Sequence, residues 1–415
     1  MSGPRTDQDV ERALAAWMDR AAPTRAPDRL LEGTFAATMR TRQRRSFPWT
    51  ASVRIGPAER IATISAAWVL LMVLGALVAA ALSVALLGGA LPFQTVPSAT
   101  PTLAPSPATS PAVPAAVVAP EAEIPALGPI AMVANGQELW VLAAGRLDVI
   151  DTAANEIATS VPIGATADLY NGLAADASGV WATDATTAIL TRVDPGTRKV
   201  AATIPAGLSP KGVLVTAEGV WVADVHGGTV LPIDPATNRV GKAITVGPLG
   251  PSGPNWLASG PESIWVGIPN NSTIARINPR THAVEATIHA PDASTPCGGF
   301  AVERDAVWIT GCSATASIVR VDPTSNTVVA TVDLGGYGYN PTLINGAPWV
   351  SVDTGDAASG RLVRIDTATN SIDRVLVPGP SFGGGGDLVV AAGSVWVVDG
   401  YNNTVLRLPL AAFGP

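Results

Sequence analysis

The sequence has little charge and few of the side chains that enzymes most often use. Of its 415 residues, 14% are charged, three are histidine and two are cysteine. It contains no phosphate-binding loop, no Ser–His–Asp order and no metal-ligand spacing. These absences argue against catalysis and give no reason to expect a metal ion or another cofactor.

Charge is missing altogether between Arg60 and Glu121. Within that stretch, residues 61–87 form an apolar run long enough to cross a bilayer as a helix, and we assign 61–91 as a transmembrane helix. The run is too long, and too much sequence precedes it, for a cleaved signal peptide. Arginines flank only its N-terminal side, which places residues 1–60 in the cytoplasm and the rest outside. The sequence therefore predicts a single-pass, signal-anchored protein of the cell membrane.

The two sides of this predicted span differ in charge. Residues 1–60 contain eleven Arg against seven Asp or Glu, whereas the remainder is acidic, which argues against nucleic acid as a partner. Two short amphipathic patterns in the tail predict helices. Two interpretations of the tail stay open: a weakly structured segment whose arginines contact anionic lipid, or a docking segment for a cytoplasmic partner.

Residues 92–115 contain seven prolines and no charge, and we interpret them as a linker. Proline-rich chains favour extended conformations that rise about 3.1 Å per residue. A linker of this length holds the following domain up to roughly 70 Å from the membrane.

Tryptophan then recurs seven times, at spacings of 41, 40, 44, 43, 41 and 47 residues. The seven are Trp140, Trp181, Trp221, Trp265, Trp308, Trp349 and Trp396. Each stands in the second of four short apolar runs, A to D, that are joined by tight turns, the C–D turn being of the D-P-x-T-N kind. A period in the low forties built from short strands is typical of a propeller blade. The sequence predicts an all-β, seven-bladed β-propeller over residues 116–415.

The last repeat contains only three predicted strands, and its fourth is expected at the other end of the domain. The sequence A-E-I-P-A at 122–126 matches A-T-I-P-A at 202–206, the fourth strand of the second repeat. We expect this N-terminal strand to pair with the last blade, because closing the ring removes exposed sheet edges.

Two phrases, V-W-V-A-D at 220–224 and V-W-V-V-D-G-Y-N-N at 395–403, resemble YVTN-type repeats and the propeller of virginiamycin B (streptogramin) lyases. The resemblance covers about 116–410 and implies a seven-bladed extracytoplasmic domain. A lyase of this kind is expected to carry a catalytic histidine, glutamates and a metal on the face formed by the D–A and B–C loops. This chain departs from that pattern: His226 is a weak catalytic candidate there, without a second histidine nearby.

The same loops collect the aromatic residues of the domain. They include all four tyrosines of the chain, together with Trp256, Phe382 and the charged Lys211. The predicted ligand-binding residues are Tyr170, Lys211, Trp256, Tyr337, Tyr339, Phe382 and Tyr401. Two interpretations stay open: a recognition surface, since Tyr and Trp offer rigid amphipathic contact area, or a plug for the central channel.

The two cysteines lie in the exported domain, where disulfides persist. Cys297 precedes and Cys312 follows the A–B hairpin of the fifth repeat. A two-residue turn at 304–305 places them opposite one another in a ladder without a bulge, so we expect a Cys297–Cys312 disulfide.

These patterns favour a membrane-anchored, extracytoplasmic propeller that serves as a binding or scaffolding module for an unidentified ligand or protein. Two alternatives stay open. One is a lyase-like, metal-dependent enzyme that uses His226, and the other is a transmembrane sensor whose tail binds a cytoplasmic regulator.

Overall fold

The computed structural model of the protein describes residues 113–164, 171–291, 295–311, 316–355, 357–384 and 386–414, and only the backbone of residue 297. The predicted tail, transmembrane helix and most of the linker lie outside these ranges. Among the described residues, no helix has the length and hydropathy needed to cross a bilayer.

The described strands form seven sheets, each one blade of a propeller. Two strands precede the first complete blade: β1 (Ala115–Val118) and β2 (Ala122–Pro125). Blade 1 contains β3 (Pro129–Asn135), β4 (Glu138–Ala143), β5 (Arg146–Asp151) and β6 (Glu156–Pro162). Blade 2 contains β7 (Leu173–Asp176), β8 (Gly179–Asp184), β9 (Ile189–Asp194) and β10 (Lys199–Pro205). Blade 3 contains β11 (Pro210–Thr216), β12 (Gly219–Asp224), β13 (Thr229–Asp234), β14 (Arg239–Val240) and β15 (Ile244–Thr245).

The second half of the ring follows the same plan. Blade 4 contains β16 (Trp256–Ser259), β17 (Ile264–Ile268), β18 (Thr273–Ile277) and β19 (Val284–His289). Blade 5 contains β20 (Pro296–Val302), β21 (Val307–Gly311), β22 (Ser317–Asp322) and β23 (Thr327–Asp333). Blade 6 contains β24 (Tyr337–Gly338), β25 (Thr342–Ile344), β26 (Ala347–Asp353), β27 (Arg361–Asp366) and β28 (Ser371–Pro378). Blade 7 contains β29 (Leu388–Ala391), β30 (Ser394–Asp399) and β31 (Thr404–Pro409). Two short 3-10 helices occur at Pro269–Asn271 and Leu410–Phe413.

The core lies between the blades, and the repeat tryptophans fill it. All seven are at most 1% exposed, as the sequence predicts for side chains that pack between neighbouring blades. Trp181 of blade 2, for example, packs in one cluster with Val213, Val220 and Val222 of blade 3. Burying each large apolar side chain contributes about 1.5–3 kcal/mol, so the same position stabilises every seam of the ring.

The face formed by the A–B and C–D turns, which we call the turn face, carries a repeated fastening between blades. In each of blades 1 to 6, one C–D turn residue adopts a left-handed conformation, with φ between 52° and 60°. These residues are Asn155, Arg198, Asn238, His282, Asn326 and Asn370. Asparagine tolerates this conformation better than most residues, which explains the D-P-x-T-N phrase.

At four seams an arginine of strand C reaches that asparagine in the next blade. Arg192, for example, lies over the ring of Trp181, 5.0 Å from its centroid, and donates to Asn238 Oδ1 at 3.0 Å. Equivalent contacts join Arg276 to Asn326, Arg320 to Asn370 and Arg407 to Asn155. The arginine thus covers the tryptophan of its own blade and fixes the turn of the next.

The other three seams use different pairs at the same place. Between blades 1 and 2, Arg198 forms an ion pair with Glu138. Between blades 3 and 4, His282 meets Trp221 edge to face at a centroid distance of 5.2 Å. Between blades 6 and 7, Phe413 of the C-terminal 3-10 helix meets Trp349 at 4.8 Å. All seven seams are therefore fastened on the turn face, which gives His282 a structural role.

The N-terminal strand closes the ring as predicted. β2 pairs antiparallel with β31, with Ala122 opposite Arg407 and Pro125 opposite Thr404. Ile124 enters the core at 3% exposure. β2 is therefore the fourth strand of blade 7.

A second N-terminal strand was not predicted. β1 begins at Ala115, one residue before the predicted start of the propeller, and pairs in parallel with β28 on the outer edge of blade 6. β28 runs from a C–D turn towards a D–A loop, and β1 runs in the same direction. β1 therefore begins at the turn-face side of blade 6 and ends at the loop-face side.

Candidate binding face

The D–A and B–C loops form the opposite face, which we call the loop face. It carries six large exposed side chains, between 38% and 76% exposed. They are Leu127, Leu208, Leu249, Tyr337, Tyr339 and Tyr401. The other large hydrophobic residues that are exposed in the described ranges are all valines. The exposed leucines and aromatic residues of the described ranges therefore lie on the loop face, whereas the exposed valines lie on strands.

Three tyrosines gather at one end of β26 and form what we call the tyrosine cluster: Tyr337, Tyr339 and Tyr401. Tyr337 pairs with Asp353 in the sheet, and the Tyr339 N–H donates to the Ser351 carbonyl at 2.9 Å. Tyr401 comes from blade 7, and its hydroxyl donates to Asp353 Oδ2 at 2.9 Å. The cluster thus spans two blades and is held by a rigid strand, which limits the ordering cost of binding.

The other predicted ligand-binding residues are placed differently. Lys211 and Trp256 are half-buried near the axis, and the Lys211 carbonyl accepts the Gly172 N–H at 3.1 Å. Phe382 is 1% exposed and packs in the core between blades 6 and 7, so it offers no recognition surface. The sequence places Phe382 in a glycine-rich loop and contains no indication that this loop folds into the core. Tyr170 lies outside the described residues.

Aspartates recur at the loop-face end of strand B, a feature the sequence analysis did not interpret. They are Asp184, Asp224, Asp353 and Asp399, each at most 6% exposed. Asp224 accepts the Leu208 and Ser209 N–H groups, both at 2.9 Å, and Asp399 accepts from Gly383 and Asn402. These carboxylates therefore brace the loops, and the V-W-x-x-D phrase that carries Asp184, Asp224 and Asp399 is structural.

A metal-dependent active site receives no support from the described part of the chain. No group of three or more His, Cys, Asp or Glu side chains there could hold a metal ion. His226 is exposed in its B–C loop, and its carbonyl accepts the Gly250 N–H at 3.4 Å. His226 therefore has no metal-ligating companions among the described residues.

The ladder between β20 and β21 contains a bulge that the cysteine prediction did not include. Phe300 pairs with Ile309 as predicted, but Pro296 pairs with Gly311 and the register shifts between them. Extended by one residue, this ladder does not set position 297 opposite 312. Cys312 and the Cys297 side chain lie outside the described structure, so the disulfide stays a prediction.

The innermost strands reveal a polar pair that the sequence analysis missed. We call the residue nine positions before each repeat tryptophan the inner-ring position. It lies at the loop-face end of strand A. Its occupants are Ala131, Gly172, Gly212, Trp256, Gly299, Asn340 and Asp387. A comparison of the repeats at this position would have singled out the last two as the polar exceptions.

Asn340 and Asp387 touch across the seam between blades 6 and 7. The Asn340 amide donates to Asp387 Oδ1, and the Met132 N–H of blade 1 donates to Oδ2 at 2.9 Å. Asp387 keeps partial exposure, yet protein surrounds its carboxylate closely enough that burial raises its pKa. One carboxylate thus joins three blades beside the axis.

No family model and no curated protein match the chain. Among solved structures, Kuenenia stuttgartiensis hydrazine synthase is similar to it with a TM-score of 0.59 and 12% identity, covering 69% of this chain and 96% of that chain. The likeness shows the propeller fold alone, because an identity this low does not carry an activity. In all, 1532 chains of solved structures match, so the fold does not distinguish between functions. The chain is a seven-bladed β-propeller, an architecture suited to a binding or scaffolding module.

Proposed function

We propose that this protein is a membrane-anchored, extracytoplasmic binding module that takes its partner on the loop face. The observation that carries the proposal is the unequal use of the two faces. The turn face is occupied by the fastenings between blades, whereas the loop face presents exposed leucines and the tyrosine cluster. Surface apolar area of this kind is typical of interaction sites.

The path of the N-terminal segment supports display of that face. β1 begins on the turn-face side, and we propose that the linker joins the propeller there, away from the tyrosine cluster. In the proposed arrangement, residues 1–60 lie in the cytoplasm, 61–91 cross the membrane, and the linker carries the loop face outwards. A partner approaching from outside then meets the loop face first.

Topology is tested with intact cells or spheroplasts. Protease added outside should release the propeller and spare a tag at the N-terminus. Protection of the propeller would contradict the proposed orientation.

Recognition is tested with a photo-crosslinking amino acid at Tyr337 of the full chain. The matched control is the same substitution at Thr369, an exposed residue of a C–D turn on the turn face. We expect a discrete adduct from position 337 only, and competition by unlabelled full-length protein should reduce it. Equal adducts from both positions, or none from 337, would contradict a loop-face site.

The YVTN-type and streptogramin-lyase resemblance enters this proposal as a relation of architecture. No observation favours the metal-dependent lyase, since His226 lacks the companions that such a site needs. A cytoplasmic partner of residues 1–60 is compatible with the module and concerns a different part of the chain. Co-purification with a tagged 1–60 segment tests it separately.

A further inference from the structure

The inner-ring position sets how closely neighbouring blades approach. In blades 2 and 3 it is glycine, and the Gly172 and Gly212 N–H groups donate to the next blade's backbone carbonyls at 3.1 and 2.9 Å. A Cβ atom at these glycines would lie 2.5 Å from the Lys211 oxygen and 2.3 Å from the Asn255 oxygen. Glycine is therefore required where blades join backbone to backbone.

Blades 6, 7 and 1 are joined in another way. Side chains bridge them, from Asn340 to Asp387 and from Asp387 to the Met132 N–H. Gly299 of blade 5 makes room for this arrangement, because a Cβ there would lie 2.3 Å from Asn340 Oδ1. Direct backbone contact is thus replaced by a polar side-chain bridge on one side of the channel.

The bridge itself does not need a charge. An asparagine at position 387 has the same shape, could accept from Met132 through its oxygen, and could donate to the Asn340 oxygen after that amide turns over. A carboxylate at this place is instead costly, because burial disfavours its charged form. The chain therefore carries a carboxyl group where the architecture requires only an amide.

That carboxyl group also has no cation beside it in the described part of the protein. No Arg, Lys or His of the described ranges forms an ion pair with Asp387. Asp148, another buried carboxylate, is paired with Arg146 at 2.8 Å. An external cation gains more binding free energy from a desolvated carboxylate that has no cation of its own than from one that is already paired.

We propose that Asp387, with Asn340, forms the polar centre of a site at the loop-face end of the channel that binds an organic cation, either an ammonium or a guanidinium group. Asp387 has acceptor sites left beyond its two hydrogen bonds, and it is partly exposed. Tyr339, the residue before Asn340, belongs to the tyrosine cluster and is 38% exposed, so the same loop also presents an aromatic side chain to solvent. The inference rests on the proposed loop-face function and names the ligand chemistry for one part of that face.

The experiment uses the full chain in detergent micelles and three probes of similar size: the Nα-acetyl methylamides of lysine, arginine and norleucine. Thermal shift and calorimetric titration at millimolar concentrations measure binding. We expect the lysine or arginine probe to bind and raise the melting temperature, and the uncharged norleucine probe to do neither. Equal responses to all three probes, or no response to either charged probe, would overturn the proposal.

Substitutions then locate the site. Asp387→Asn should weaken binding of the charged probe at least tenfold, whereas Asp148→Asn, which changes a carboxylate that already has a cation, should leave it unchanged. Retained affinity in Asp387→Asn would overturn the assignment. The probe comparison on the unmodified chain decides the proposal even if the variant does not fold.

The two experiments distinguish failure of the cation site from failure of the proposed binding module. A loop-face adduct at Tyr337 that Asp387→Asn does not affect would keep the binding module and remove the cation site. Absence of both the adduct and the cation response would remove both.

Discussion

The turn face and the loop face of this propeller are built from the same repeats but follow different rules. On the turn face all seven seams are fastened at equivalent positions, four of them by the same arginine–asparagine contact. On the loop face the inner-ring position passes from glycine to tryptophan, asparagine and aspartate. Regularity thus marks the face that holds the ring together, and irregularity marks the face that is free to bind.

The aspartates of the turn face and of the inner ring also differ, in the direction in which their pKa is shifted. On the turn face, hydrogen bonds from the turn's own N–H and hydroxyl groups lower the pKa of the aspartates that begin the C–D turns: Asp151, Asp194, Asp234, Asp322 and Asp366. At the inner ring, burial raises the pKa of Asp387. The first set favours the folded state when charged, whereas the charge of Asp387 opposes it.

The largest effect is expected from breaking ring closure, on which both faces depend. Ile124→Asp places a charge without a partner in the core beside β31, where Ile124 is 3% exposed. By analogy with uncompensated buried charges, we expect a loss of about 3–5 kcal/mol in the free energy of unfolding. Denaturant unfolding of the full chain, followed by circular dichroism, measures it.

Val117→Asp is the matched control, since it adds the same charge to β1, where Val117 is 75% exposed. Its effect should stay within about 0.5 kcal/mol, as for ordinary surface substitutions. If the two variants behaved alike, β2 would not be the strand that closes the ring.

The next effect tests the fastening of the turn face. Arg192→Ala removes donors to Asn238 Oδ1 and to the Pro235 carbonyl, at 3.0 and 2.6 Å, and uncovers Trp181. Hydrogen bonds to charged groups contribute about 1.5–3 kcal/mol, so a loss of that size is expected in the same denaturation assay. Arg239→Ala, on the exposed strand β14, serves as the control. A loss no greater than the control's would show that the turn-face contacts do not fasten the seam.

A third effect has the opposite sign and distinguishes the inner ring from the turn face. Asp387→Asn should raise the melting temperature at pH 7, because it keeps the shape and removes a carboxyl group whose ionisation is disfavoured by burial. The folded-state pKa of Asp387 is raised, so the native protein loses stability as pH rises from the unfolded value, about 3.9, through that raised pKa.

The gain from Asp387→Asn should therefore be full above the folded-state pKa and disappear below about pH 3.9, near the unfolded value. The turn-face aspartates lose their contribution as pH falls, but they are common to both proteins and cancel in the difference. Melting curves of the two proteins between pH 3.5 and 8 test this. A constant difference, or a lower melting temperature at pH 7, would contradict an uncompensated charge.

The repeat made much of the architecture predictable. Tryptophan spacing gave seven blades, and the match between 122–126 and 202–206 gave the closing strand, because both are properties of a period. β1 was missed since it has no counterpart in any other repeat. Blade 3 also departs from the plan: Pro232 in β13 has no N–H for the ladder, and the outer strand divides into β14 and β15.

The candidate site was harder to predict because it depends on departures from the repeat. Loop position singled out Tyr337, Tyr339 and Tyr401, which are exposed in the structure, but the same reasoning selected Phe382, which packs into the core. Asp387 was absent from the prediction, since its significance comes from contacts with Asn340 and Met132, which are remote in sequence. The position of a residue in the repeat predicts which face it lies on, whereas its role depends on its burial and its hydrogen-bond partners.

The smallest effect separates support from recognition within the tyrosine cluster. Tyr401→Phe deletes the hydroxyl that donates to the buried Asp353 carboxylate at 2.9 Å, and should cost about 1–2 kcal/mol in the free energy of unfolding. Tyr337→Phe deletes a hydroxyl from a side chain that is 55% exposed, and should stay within about 0.5 kcal/mol. In the crosslinking assay, with the photo-crosslinking residue at a neighbouring loop-face position, Tyr337→Phe should instead reduce the adduct more than Tyr401→Phe does. The reason is that the Tyr337 hydroxyl is free to meet a partner, whereas that of Tyr401 is engaged with Asp353. If Tyr401→Phe cost no stability, the cluster would not be braced by Asp353, and its rigidity would need another source.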